Sequence, residues 1–335
     1  MAITFSKNSN LNDTLWKTID TALTTVMQDT DNEKNNDDDL VKTLFREGKS
    51  KKFGEKKGGM TEFGNFQPVD EGEAGIQDEI QQGFTKLIEH TPFLKTFTVT
   101  REMKDDGMLD TAKLAAANYV RSYKRSRAQF ASSCLCGEGS TFDYEGRKLD
   151  RTTGDGLALF STAHPGKKSG VATQSNCFTN AFGTDATMLY KLRSYGRNLK
   201  NSSGNVMGYN FDTIIIPSDA WDLEELIKRI IGSERVVGSD FNDTNTQKGA
   251  WKLVVNHRWQ VNSTSSRPYI LSSSEAMRDL DAAVFYDRCV LDVKSEENLK
   301  TRNLDYSGYC RFSAGFYDWR AFILGGAAAG STLSY

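Results

Sequence analysis

From Gly107 to Gly137 the chain places apolar residues at helical spacing. Leu109, Ala112, Ala116, Tyr119, Tyr123, Phe130 and Cys134 fall three, four or seven apart and so share one stripe of an α-helix. Asp105 or Asp106 can cap its start, and Gly137 suits its end. At 1.5 Å per residue such a helix is about 42 Å long, more than the width of a small domain. A helix of this length with one apolar face is a beam, packing a sheet on one side and showing charge on the other. Arg121, Lys124 and Arg125 lie on the opposite face, and Arg127 interrupts the stripe. The stripe reads as core and the bases as a solvated face.

At 335 residues the chain exceeds the size at which one hydrophobic core keeps growing, so two domains or a body with extensions are expected. No apolar run approaches the roughly 20 residues that cross a bilayer, and MAITFSKNSN lacks the apolar stretch of a signal peptide. A net charge of −2 gives no global pull towards nucleic acid. Five scattered cysteines without a secretion signal imply reduced thiols in a cytoplasm.

Before the beam come three different stretches. Asn10–Asp29 reads as a helix, with Leu11, Leu15, Ile19, Leu23 and Met27 on one stripe and Trp16 beside it. Asp29–Asp39, with six acids against one lysine, reads as an exposed linker, and Asp39–Glu47 as a second helix closed by Gly48. Two such helices cannot make a core alone and need another surface, which could belong to another chain. Residues 49–83 are glycine-rich and read as an extended hairpin or loop. Their charges are segregated. Lys49, Lys51, Lys52, Lys56 and Lys57 lie in the first limb, Asp70, Glu71, Glu73, Asp78 and Glu79 in the second, and Met60, Phe63, Phe66 and Val69 between them. Phe84–Met103 alternates as a strand does, most clearly over TFTVT.

After the beam, Glu138–Gly183 reads as a long irregular insertion whose apolar island is Leu157–Pro165. From Ala186 the pattern is mixed. Helices are expected over Ala186–Leu199 and from Asp219, as cap, to Ile231. Strands are expected over Phe211–Pro217, Ala250–Val261, Tyr269–Ser273, Ala282–Val293 and Tyr309–Leu324.

The sequence carries no recognisable motif for chemistry. There is no phosphate loop and no nucleophile elbow. His90, His164 and His257 are far apart, with no second ligand at metal spacing, and His164-Pro165 has no identifiable nucleophile or carboxylate partner. Cys134 and Cys136 read as small packing residues, and Phe316, Tyr317 and Trp319 as core. No cofactor, no metal and no enzymatic activity are expected.

The order of parts is informative. A helical arm, a two-limbed glycine-rich loop, the FTVTREM strand, the long helix and a mixed domain with a final aromatic strand follow one another. With Gly83-Phe84, Thr100-Arg101-Glu102-Met103, LFSTAHP (Leu159–Pro165), IIIPSDAW (Ile214–Trp221) and FYDWRAFILGG (Phe316–Gly326), this order resembles the tailed-bacteriophage major capsid proteins of the Hong Kong 97 fold, and the Mu-like head subunits among them. The resemblance implies an α+β capsid fold. Its parts are an N-terminal arm (1–48), an extended loop (49–100), a peripheral domain with a spine helix (101–137 and 289–324), an irregular insertion (138–184) and an axial domain (185–288 and 325–335).

It also implies a subunit that self-assembles into hexamers and pentamers of an icosahedral head, in the host cytoplasm, around non-specifically held double-stranded DNA. A separate scaffold or protease, a portal and decoration proteins would be its partners, and no membrane is involved. Inter-subunit contacts are expected from Lys51, Lys52, Lys56, Lys57, Met60, Phe63, Phe66, Asp70, Glu71 and Glu73 of the loop. Leu15, Trp16, Ile19 and Leu23 of the arm would make others, and Arg121, Lys124 and Arg125 would face the lumen or its DNA. Encapsulin shells, a hydrolase using His164 and a nucleic-acid-binding protein are the alternatives.

Overall fold

Thirteen strands and seven helices can be traced through the described residues of the computed structural model, which are 3–5, 14–61, 63, 65–75, 77, 80–183, 186–236, 244–262 and 267–333. Asn10, Leu11 and the side chain of Leu15 lie outside them. In chain order the first elements are β1 (Thr4–Phe5), α1 (Thr14–Asn32), α2 (Asn36–Leu44), β2 (Arg46–Lys49), β3 (Gly54–Met60), β4 (Gln82–Glu89) and β5 (Thr91–Val99). They are followed by α3 (Arg101–Asp105), α4 (Leu109–Leu135), β6 (Thr141–Tyr144), β7 (Arg147–Asp150), α5 (Thr187–Arg197), β8 (Thr213–Pro217) and α6 (Trp221–Gly232). The last are β9 (Lys252–Asn256), β10 (Tyr269–Ser272), α7 (Ser274–Asp279), β11 (Ala283–Glu297), β12 (Leu304–Phe316) and β13 (Phe322–Gly325). The chain divides into two units. One is Met1–Glu55, Ile88–Ala131 and Phe285–Ala314; the other is Lys56–Leu87, Ser132–Val284 and Gly315–Tyr335.

In the first unit, five strands form one sheet, β1-β11-β12-β5, with β2 also on β11. The 27-residue α4 is the expected beam. Ala112, Ala116, Tyr119, Tyr123 and Phe130 of its stripe are buried. Phe130 meets Phe312 edge-on at 5.3 Å and Phe93 at 5.8 Å, while Tyr119 lies 4.9 Å from Phe97, which stacks on Tyr306. Arg127 interrupts the stripe because it is a buried ionic centre. Its guanidinium is 2.8 Å from Asp287 and 3.3 Å from both Glu47 and Asp38. Neither Asp105 nor Asp106 caps this helix. Thr100 ends the strand run and caps α3 by accepting from Met103 N, so the strand expected to reach Met103 stops at Val99.

The arm folds against its own chain. Trp16, Leu23 and Met27 are buried and Ile19 is half-buried, so the arm contacts expected between subunits at Trp16 and Leu23 are satisfied within one subunit. Lys104 lies over the Trp16 ring at 4.4 Å, and the Tyr306 hydroxyl donates to Asp20. The acidic run is no linker. α1 continues to Asn32, Asn35 caps α2, and Asp37, Asp38 and Asp39 occupy its first turn, where the helix dipole favours negative charge.

Lys124 likewise departs from its expected solvated face. It is 2% exposed, donates to the carbonyls of Thr30, Asp31 and Glu33 at the end of α1, and pairs with Asp38 at 3.3 Å. A cation on the last carbonyls of a helix satisfies acceptors that the helix itself cannot. Lys124→Ala is therefore expected to cost about 1.5–3 kcal/mol, the range for hydrogen bonds to a charged group. Hydrogen exchange should quicken first in α1, and a denaturant melt should give the total.

In the second unit, β13-β10-β8-β9 form a sheet. β8 is buried throughout, and β8 and β9 are parallel, joined by a crossover that contains α6. Asp219 is not the cap of α6; its carboxylate accepts from Val261 N and Asn262 N instead. The final aromatic run is two strands rather than one. β12 belongs to the five-stranded sheet, and β13 pairs with β10. The insertion is less irregular than its composition suggests. β6 and β7 form a hairpin whose two-residue turn, Glu145-Gly146, has φ of 49° and 78°, a geometry in which the second residue favours glycine.

Candidate assembly surfaces

The glycine-rich stretch is a two-stranded hairpin, β3 on β4. Gly83 is required there, because a Cβ on it would sit 2.8 Å from the Gly59 carbonyl carbon. The Thr61 amide donates to Gln81 O, closing the paired part. Beyond it the described residues from 63 to 75 form no regular strand or helix. The 49–100 stretch thus contains a hairpin and, in Thr91–Val99, a strand of the five-stranded sheet.

The hairpin end carries an uncovered apolar surface. Met60 is 78% exposed and Phe63 60%; Phe66 is fully exposed, and Val69 and Ile80 are about half exposed. Side chains of this size lose about 1.5–3 kcal/mol each by staying in water rather than being buried. Asn205 donates to the Phe63 carbonyl at 3.0 Å, so the backbone there is held while its ring is left out. Asp70, Glu71 and Glu73 are exposed around a turn in which Glu73 N donates to Asp70 O and Gly72 has φ 90°.

The lysine limb is not uniform. Lys51 and Lys56 are exposed. Lys52 pairs with Glu55 at 3.6 Å, and Lys57 Nζ pairs with Asp281 at 2.9 Å and donates to Leu280 O. Lys57, expected to meet a neighbouring subunit, is thus engaged within its own chain. On α4, Arg121 and Arg125 are exposed, as expected, with Arg121 3.7 Å from Glu33.

His164 sits in a closed polar knot. It is fully buried, its ring stacks on Trp319 at 4.2 Å, Nδ1 is 2.6 Å from Asp155 and Nε2 is 3.1 Å from Asn176 Oδ1. Asn176 donates from Nδ2 to Leu159 O and Phe322 O and accepts from Ser161 N, which fixes its amide orientation. Both histidine nitrogens are thus engaged inside the buried knot, and neither is open to a substrate. The carboxylate partner that sequence inspection missed is Asp155, nine residues upstream in an irregular loop. His90 is buried between the Ser50 and Ser313 hydroxyls, each at 2.8 Å, and burial holds its pKa below the usual value. Burial pushes the Cys134 and Cys136 thiols up to about 12, away from the reactive thiolate. Among the described residues no cluster of His, Cys, Asp or Glu could hold a metal ion, and no helix is long and apolar enough to cross a membrane.

No family model matches this chain, and no curated protein does. Solved structures do. A chain of Mycobacterium phage Patience matches it with a TM-score of 0.54 at 10% identity, over 100% of this chain and 95% of that one. A chain of Gordonia phage Cozz matches with a TM-score of 0.52 at 13% identity, over 87% and 86%. The capsid of the native GTA particle gives 0.52 at 9% identity, over 89% and 92%. Likeness across whole chains at such low identity is likeness of fold. The fold of this chain is that of the tailed-phage major capsid proteins, the Hong Kong 97-type α+β fold.

Proposed function

We propose that this chain is the major capsid subunit of a tailed-phage head, assembling with its own copies into hexamers and pentamers of an icosahedral shell around double-stranded DNA. The observation that carries this reading is the exposed aromatic end of the hairpin on a fold shared with shell subunits. Residues that a lone subunit leaves in water are those that a neighbour would cover. In this reading the five-stranded sheet with α4 is the peripheral domain, the sheet containing β8 is the axial domain, and a separate scaffold or protease, a portal and decoration proteins act on the shell. Electron microscopy of the expressed protein tests it. Closed shells of uniform size that hold nucleic acid support the proposal, shells holding a single packaged enzyme point to an encapsulin, and a stable monomer refutes both.

Arg121 and Arg125 are the bases left to face the lumen, where contact with DNA would be through phosphates and independent of sequence. Arg121→Ala with Arg125→Ala is expected to leave empty shells intact and to weaken genome retention as salt is raised, measured as DNA released per particle. Each lost phosphate contact removes about 0.9 from the salt slope. Failure of shell assembly in this variant would make the pair structural instead.

A further inference from the structure

His90 stands in a chain of hydrogen bonds inside the first unit. Its Nε2 is 2.8 Å from Ser50 Oγ and its Nδ1 is 2.8 Å from Ser313 Oγ. Ser50 Oγ is also 2.8 Å from Glu55 Oε1 and accepts from the Lys52 amide at 3.2 Å. A hydroxyl has one proton to give, and an ionised carboxylate only accepts. The Ser50 hydrogen bond, helped by Lys52, holds the Glu55 carboxyl below its usual range, so Glu55 is ionised. The Ser50 proton therefore goes to Glu55, and Ser50 Oγ accepts from His90 Nε2. Nδ1 is left as an acceptor for the Ser313 hydroxyl. In this arrangement the ring is neutral, with its one proton on Nε2.

The surroundings oppose a second proton. His90 is 4% exposed. Burial first, then the charge of Arg311, hold its pKa below the usual value; Glu55 pulls the other way and Arg288 adds a smaller push. Arg311 on β12 donates from Nε to the His90 carbonyl, and Tyr286 on β11 meets the imidazole edge-on at 5.9 Å. Asp287, next on β11, is held by Arg127 at 2.8 Å. Ser313 can turn its hydroxyl to accept from a protonated Nδ1, so no hydrogen bond need be lost. The cost of the second proton is a buried charge beside two guanidinium groups.

The residues of this chain also fix the Ser50–Glu55 segment on the sheet. Ser50 N donates to Asp287 O, and His90 N donates to Phe53 O. Lys51 and Lys52 are exposed and the Phe53 ring is 65% exposed, with Arg311 5.6 Å from its centre. Little apolar burial adds to these bonds, and a segment held in this way opens at low cost.

We propose that His90 is a proton-operated latch: a proton on its Nδ1 releases the Ser50–Glu55 segment from the five-stranded sheet. The latch belongs to the single subunit and does not rest on the shell reading. A histidine whose folded pKa is depressed binds its second proton more tightly once the segment opens. The attachment is at full strength above the ordinary histidine value, near ~6.5, and weakens as the pH falls through the folded value. Asp287, pushed up to about 6 by burial, works in the opposite direction, because a raised carboxyl stabilises the folded form in acid.

Hydrogen exchange of the whole subunit at pH 7.5 and pH 5, corrected for the intrinsic pH dependence of exchange, tests the latch. Protection over residues 46–55 and 88–91 should fall about threefold or more in acid, while protection over β8 stays as it was. Glu55→Gln keeps an acceptor for Ser50 and removes the charge that favours a second proton on His90, so the fall should deepen. Arg288→Gln, at an exposed position, removes a charge that opposes that proton, so the fall should shrink. Nitrogen NMR of the histidine rings reads the state directly, and His90 should carry its proton on Nε2 at pH 7.5. Equal protection at the two pH values overturns the latch, as does a fall of the same size in all three chains. A ring protonated on Nδ1 at pH 7.5 overturns the order of the hydrogen bonds on which it depends.

Discussion

Subunits carrying Phe63→Ala and Phe66→Ala are expected to fold and melt as the parent does and yet to form few or no shells. Phe66 is fully exposed and Phe63 is 60% exposed in the single chain, so removing the rings takes little packing away from the folded subunit. The hydrogen bond from Asn205 to residue 63 goes to a backbone carbonyl and survives the change. What is lost is burial against a neighbour, about 1.5–3 kcal/mol for each side chain. Two side chains give about 3–6 kcal/mol per copy, or roughly a hundredfold to ten-thousandfold in each contact. Every copy in a closed shell repeats that loss. Sedimentation separates subunits from particles, and a thermal melt confirms folding. A variant that melts normally and assembles at parental yield would show that the hairpin end does not hold the shell together.

Replacing Arg127 with Met should have the largest effect on the subunit itself. Arg127 is buried in α4 and holds Asp287, whose side chain is 1% exposed, together with Asp38 of α2 and Glu47 of β2. Removing one partner of a buried ion pair leaves an uncompensated charge and costs about 3–5 kcal/mol, a large part of the roughly 5–15 kcal/mol that holds a domain folded.

The pH dependence identifies the cause. Burial already pushes the Asp287 carboxyl up to about 6, against the pull of Arg127. Without the guanidinium it rises further. An acid whose folded pKa lies above its unfolded value binds its proton more tightly in the folded state. The cost of keeping it ionised is absent below the unfolded value, near ~4, and complete above the folded one. The loss in Arg127→Met should therefore be greatest near pH 8 and smaller at pH 5, and Asp287→Asn in the same chain should recover most of it. Denaturant melts at the two pH values measure this. A loss equal at both would mean that Arg127 acts through packing alone.

The surfaces of the subunit differ in how far they are legible in the sequence. The hairpin end was legible because its signals are local. Glycine density excludes helix, acids and bases are segregated along the chain, and the aromatics between them have no periodic partners. Lys57, by contrast, is one lysine among five until the fold sets Asp281 against it. Lys124 looked like a solvated base because a helical wheel places it opposite the stripe. Its fate depended on α1 ending beside it and offering three carbonyls.

The sequence by itself determined the beam and most strands of both sheets, which follow from periodicities of two and 3.6 that the backbone imposes on any chain, and the hairpin, which follows from its glycine density. Only the tertiary structure decided what the polar residues do. Arg127, Asp38, Glu47 and Asp287 lie up to 249 residues apart in sequence yet share one buried cluster. His164 acquires Asp155 and Asn176 through a loop with no periodicity at all. Burial of charge is a matter of which distant groups are brought together, because the cost of desolvation is offset only by partners that local spacing does not encode.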